Sequence, residues 1–181
     1  MKQAMLTVLG KDRPGIIAYV TGMLYRRHCN LEDISMTILE GEFAMMMVVS
    51  MPKTQFRAIH QDLERDMHQK GLSYFWHDFK SKLLRGDKHP SGSAPYLLTV
   101  VGRDRTGIVY QTSNLISLHG LNITDLNSKI LGRGTNTIYT MLLEIDAPKR
   151  FNLAKLKRSL QNLGHQLKME FNLKSVEHID L

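Results

Sequence analysis

Cysteine is almost missing from this chain: of 181 residues only Cys29 carries a thiol. One thiol excludes an intrachain disulfide framework and fits a reducing compartment. Long apolar runs are missing too. The longest near-continuous one, Phe43 to Met51, is strand-sized and far short of the ~20 residues that a spanning helix needs. The opening MKQAMLTVLG enters a strand-like pattern directly, with neither the h-region nor the cleavage site of a secretory leader. The expectation is a cytoplasmic protein with no membrane segment. Aromatics make up 7%, too few in the needed places for a base-stacking surface.

With 43% hydrophobic and 23% charged residues the composition is that of a globular protein. Its length allows one medium domain or two small ones, each with a thin core if alone. The formal charge is +7, which attracts anions in a general way, but the basic residues are spread along the chain and serve solubility.

Internal similarity decides between one domain and two. LTVLGKDRPGII, Leu6 to Ile17, recurs 92 positions later as LTVVGRDRTGIV, Leu98 to Val109, identical at eight of twelve places. Asn30-Leu31 is answered by Asn122-Ile123, and Asp33-Ile34 by Asp125-Leu126. MPK at 51 to 53 is answered by APK at 147 to 149, an offset of 96. The four added residues belong near Gly132 to Asn136, where a hairpin can lengthen.

Within the first copy, Met5 to Leu9 reads as a buried strand ended by Gly10. Ile16, Ile17, Val20 and Leu24 follow helical spacing, with Asp12 or Arg13 near the cap and Pro14 in the first turn. Asn30 to Leu39 alternates through Ile34, Met36 and Ile38, and EGE turns it into the strand Phe43 to Met51. Phe56, Ile59, His60, Leu63 and Met67 mark a second helix, with Gly71 as its C-terminal cap and LSYFWHDF as a last strand. The second copy repeats this through Ile108, Val109, Leu115 and Ile116, then Leu153, Leu156, Leu160, Leu163 and Gly164. The order βαββαβ predicts an α+β fold: two ferredoxin-like sandwiches in tandem, each a four-stranded antiparallel sheet with two helices on one face. The expected domains are 1–80 and 95–181, joined by a Gly/Ser/Pro-rich basic linker at 81–94.

Chemistry concentrates in the repeated corner. Gly10 and Gly15 bracket a loop that a ligand can approach closely, and a helix begins there with unpaired N–H groups and the positive end of its dipole. Asp12 stands beside those donors. Donors for a carboxylate next to an acceptor for an ammonium describe a zwitterion, which is an amino acid; Asn30, opening the next strand, adds a donor and an acceptor. The same residues serve equally as a structural corner, with Asp12 a helix cap, Arg13 a surface side chain and Asn30 a turn residue.

Other chemistries have less support. His28 next to Cys29 suggests a nucleophile and base, but neighbours in sequence seldom point at one another and a lone cysteine at a strand start is usually core. The eight histidines show no HExxH and no zinc spacing, so no metal or other cofactor is expected. The stretch GRGTN, Gly132 to Asn136, is no phosphate loop. The first-loop arginine also suits acylphosphatases, but their glycine and aromatic signature is missing and Asp12 would repel phosphate. An RNA-recognition module shares this strand order, yet GEFAMMMVV places Met45, Met46 and Met47 where stacking rings belong. Direct nucleic-acid binding is not expected, and the methionines read as adaptable core or interface packing.

The stretch LTVLGKDRPGIIAYVTGMLYRRHCNLEDISMTILEGEFAMMMVVSMP resembles an ACT domain, a small regulatory module of amino-acid and one-carbon metabolism, and both halves match over nearly their whole length. The tandem arrangement with no attached catalytic domain is similar to the family of glycine cleavage system transcriptional repressors. That resemblance implies a non-catalytic regulator that senses an amino acid, glycine first, and acts on transcription through a DNA-binding protein partner. It also implies units paired side by side, as in a homo-oligomer, with the ligand near the first loop. Carried over residue by residue, the ligand positions are Asp12, Arg13, Pro14, Gly15 and Asn30, then Asp104, Arg105, Gly107 and Asn122; Thr106 departs from the pattern's proline. The alternative is a docking module of the same fold without a ligand, favoured by the apolar strands Phe43 to Met51 and Thr137 to Ile145.

Overall fold

The computed structural model describes residues 1–80, 92–132, 137–148 and 150–176. Two units are present, the first within Met1–Arg85 and the second within Gly86–Leu181. The first runs β1 (Lys2–Lys11), α1 (Ile16–Arg26), β2 (Asn30–Leu39), β3 (Glu42–Met51), α2 (Phe56–Gln69) and β4 (Leu72–Asp78). The second repeats it as β5 (Ser93–Arg103), α3 (Ile108–Leu118), β6 (Asn122–Leu131), β7 (Ile138–Pro148), α4 (Leu153–Leu167) and β8 (Met169–Ser175). Each sheet is antiparallel, with strand order β2-β3-β1-β4 and β6-β7-β5-β8. These are two ferredoxin-like βαββαβ modules. Most of the stretch expected as a linker, 81–91, lies outside the described residues; Ser93 and Ala94 already pair with β7.

Period-two burial explains the sheets. On β1, Ala4, Leu6 and Val8 are buried, and across from them lie Val49, Met47 and Met45 on β3. Helix residues Ile16, Val20, Met23, Leu24, Ile59 and Leu63 close the same core. Met46, between its two buried neighbours, faces the other way and is exposed. The triplet of methionines is thus split by the pleat into core and surface.

The β2–β3 hairpin turns through Glu40 and Gly41, both at positive φ (51° and 81°), the two-residue geometry that suits strand twist. In the second unit the last pair is Leu131 with Ile138 instead of Leu39 with Glu42. The added residues therefore fall inside this hairpin, of which 133–136 lie outside the described residues.

Three expectations are corrected. The α1 stripe buries Ile16, Val20, Met23 and Leu24, leaving Ile17 41% exposed, as Val109 is on α3. Gly164 is no cap: it lies inside α4, where a Cβ would come within 2.8 Å of the Met169 carbonyl oxygen and 3.2 Å of the Phe171 ring. The helix must approach β8 that closely, and the turn is made instead by Lys168 at φ 52°, in the role of Gly71. The alternating side chains of β2 point to the helix side, opposite Met47, Met45 and Phe43, yet Ile34, Met36 and Ile38 are about half exposed (45%, 44%, 50%). Leu31, at the start of the strand, still packs against the core, so it is the stretch from Ile34 to Ile38 that the helices leave uncovered.

An ion pair ties the two helices of the first unit. Arg27, just past α1, donates from Nε to Asp62 Oδ2 at 2.7 Å, and Arg65 Nη2 donates to Asp62 Oδ1 at 3.0 Å. Asp62 is buried. Its hydrogen bond from Arg27 holds the carboxyl below the usual aspartate range, against the opposing effect of burial. A depressed folded-state value contributes stability above the ordinary aspartate range, lost as pH falls through the folded value. Thermal melts should therefore show Asp62→Asn less stable than the parent at pH 7, with the gap closing as the pH is taken below about 4; an unchanged gap would contradict this role.

Candidate functional site

The corner between β1 and α1 is built on backbone. Gly15 adopts φ 92° and Gly107 φ 91°, each as the residue that caps its helix, and neither helix has a side-chain cap. The first helical bonds run from Tyr19 N to Gly15 O and from Gln111 N to Gly107 O, both at 2.9 Å. The N–H groups of the first turn have no side-chain partner, at the positive end of the dipole. The capping role expected of Asp12 or Arg13 is taken by glycine, because the chain must swing from strand into helix through a left-handed residue.

Each neighbour in the loop has a definite place. The backbone N–H of Asp12 donates to Gly41 O at 2.8 Å, which seats the corner against the β2–β3 hairpin tip. Its carboxylate is exposed. Arg13 Nη2 donates to the Lys70 carbonyl, tying the loop to the α2–β4 turn. Lys70 Nζ lies 5.1 Å from the Tyr19 ring centre. Asp104 and Arg105 are likewise exposed in the second copy.

Clefts lie on both sides of the first loop. The larger, about 620 Å³, is floored by Phe43 and walled by Pro14, Gly15, Ile17, Met36 and Ile38, with Asp12 and Arg13 at its mouth. A smaller one of about 230 Å³ lies between Arg13, Gly15, Tyr19, Lys70 and Leu72. The larger combines helix N–H donors, a carboxylate and apolar walls, the elements of a small amino-acid site.

Asn30 is not brought to this cleft within a unit. It opens β2 opposite Ser50, whereas the loop meets the other end of the sheet, where Ile38 faces Phe43. Seven strand steps separate the two ends, roughly 23 Å. Asn122, opposite Asp146, is at the same far end in the second unit. Sequence proximity across α1 hid this separation, because the helix carries the chain back along the sheet. The half-exposed apolar wall of Met36 and Ile38 was the feature missed as part of the site. Its sequence signal was alternation on a strand that sits at a sheet edge.

Cys29 packs against the first core, and its burial pushes the thiol above its usual value. That is the wrong direction for a nucleophile. Among the described residues no helix is long and apolar enough to cross a membrane.

Residues 2–77 and 95–174 each match the model of the ACT domain. The chain belongs to the ACT domain family. A UPF0237 protein of Methanopyrus kandleri is 35% identical over 74 residues, 40% of this chain and 82% of the relative, so its length corresponds to a single unit. Two solved structures match nearly end to end. One is described only as an unknown protein from Galdieria sulphuraria, 23% identical, with a TM-score of 0.79 over 97% of this chain and 99% of that one. The other carries the name of a candidate glycine cleavage system transcriptional repressor, 16% identical, with a TM-score of 0.70 over 98% of both chains. At these identities the likeness is one of fold, and it extends to the tandem arrangement.

The αL glycine is testable apart from any ligand. Nothing lies within 4 Å of a Cβ at Gly15, so a substitution there costs only backbone strain, about 1–2 kcal/mol. Urea unfolding should rank Gly15→Asn above Gly15→Val in stability, since asparagine tolerates positive φ and valine does not; equal stability would contradict the strain.

Proposed function

We propose that this protein is a non-catalytic amino-acid sensor of the ACT family, acting on transcription of amino-acid or one-carbon metabolism genes through a DNA-binding protein partner. The observation that carries it is the repeated corner at Gly15 and Gly107: an uncapped helix start beside an exposed aspartate, opening in the first unit onto an apolar cleft. The carboxylate of an amino acid suits the N–H groups of the first turn, and its ammonium suits Asp12 or Asp104. Glycine is the first ligand to try, given the name carried by one structural neighbour.

Pairing between copies supplies what one unit lacks. Edge strand β2 carries exposed Ile34, Met36 and Ile38. Antiparallel pairing with the β2 of a second copy sets Asn30 of one strand against the Leu39 end of the other, beside its partner's Asp12–Gly15 loop. The far-end asparagine and the loop then share one site, and β6 offers Asn122 the same geometry. A homo-oligomer with ligand between its copies follows. Ligand occupancy would shift the balance between two packing states by its difference in affinity for them, and the partner protein would read that shift.

Calorimetry with each of the twenty amino acids checks this reading. At least one should bind below millimolar, and Asp12→Ala should weaken it about tenfold or more, the loss of one charge-assisted hydrogen bond. No binding by any of them, with one heteromeric partner retained in their presence and absence, would favour the docking module instead.

A further inference from the structure

The two corners share a backbone but not their walls. The sheet register equates the positions: Phe43 faces Gly10 and Ile38, and Tyr139 faces Gly102 and Ile130. Met36 faces Met45, and Ser128 faces Met141. In the loop and helix, Pro14 and Ala18 line the first cleft, and 92 positions on stand Thr106 and Tyr110. Four apolar lining positions of the first unit are thus hydroxyl residues in the second, while Ile16, Ile17 and Ile38 keep aliphatic counterparts in Ile108, Val109 and Ile130.

Tyr139 and Thr112 carry buried hydroxyls at the places where the first unit has Phe43 and Val20. Tyr139 is 7% exposed, and its hydroxyl has no hydrogen-bond partner among the described residues. Thr112, fully buried on α3 where α1 has Val20, is in the same condition. A buried hydroxyl without a partner is destabilising relative to the isosteric apolar side chain. The first unit shows that phenylalanine and valine fill these places. Their hydroxyl versions need a polar group to pair with.

We propose that the two units hold ligand sites of different side-chain preference: the first takes an amino acid with an apolar side chain, the second one whose side chain carries a hydroxyl. This rests on the amino-acid-sensor reading and departs from it on glycine, because a wall that contacts a side chain contributes nothing to a ligand without one. Ser128 on the exposed wall and Tyr139 on the floor select the second ligand. Met36 and Phe43 exclude it from the first site by leaving its hydroxyl without a partner.

Calorimetry on the full chain with L-valine and L-serine as probes tests this. Each should saturate one site per chain, and neither should displace the other. The double variant Ser128→Met, Tyr139→Phe writes the first wall into the second unit; it should weaken L-serine about tenfold and leave L-valine at its first site unchanged. Tyr139→Phe alone should melt no lower than the parent, which separates loss of selectivity from loss of fold. Competition of the two probes for both sites, or unchanged L-serine binding in the double variant, overturns the inference. Equal binding of glycine or any one amino acid at both sites leaves the sensor standing and removes only this inference, whereas no binding by any of the twenty removes both.

Discussion

Everything proposed for this protein hangs on one backbone conformation, the left-handed glycine that joins the first strand of each unit to its first helix. At Gly15 and Gly107 it replaces the side-chain cap of an ordinary helix start. Two consequences follow. The first-turn N–H groups stay open, and the loop before the helix is held down by other means. In the first unit Asp12 uses its backbone N–H on Gly41 and Arg13 its guanidinium on Lys70. The carboxylate of Asp12 is left exposed on the cleft that the first turn of α1 also lines.

The second constraint is the uncovered edge. Two helices span the sheet over β1, β3 and β4 but leave the inward side chains of β2 half exposed. Such an edge invites pairing. Of these half-exposed side chains, Met36 and Ile38 also line the cleft beside Gly15, so the proposed ligand and the proposed partner strand would draw on one surface. Duplication within a chain gives two such corners, and the positions held by Pro14, Ala18, Met36 and Phe43 in the first unit are hydroxyl residues in the second.

Much of the fold was legible because the repeat showed which features recur: eight identities in twelve residues, then strand alternation and helix spacing in the same order. The methionine strand was legible as apolar but not as two-faced: Met45 and Met47 are buried and Met46 is exposed, a split made by the pleat and not by residue type. What the linear pattern concealed was distance. Asn30 follows α1 in sequence but begins at the far end of the sheet from Asp12, since a helix returns the chain to where the strand started. Ile17 and Val109 match helical spacing yet are partly exposed, Ile17 against the cleft that Met36 and Ile38 line. Gly164 looked like a cap because glycine is the usual one; Lys168 fills that role at a positive φ, and the glycine serves a close helix–strand approach. The tether from Arg13 to the Lys70 carbonyl had no signal in sequence, because a backbone acceptor carries no residue identity.

The most direct measurement is a crystal structure of the full chain grown with a saturating amino acid that binds in calorimetry. The account predicts density for a zwitterion with its carboxylate on the N–H groups after Gly15 or Gly107, its ammonium beside Asp12 or Asp104, and Asn30 or Asn122 of a neighbouring copy completing the site. Ligand density elsewhere, with both glycine corners closed by protein side chains, would contradict it.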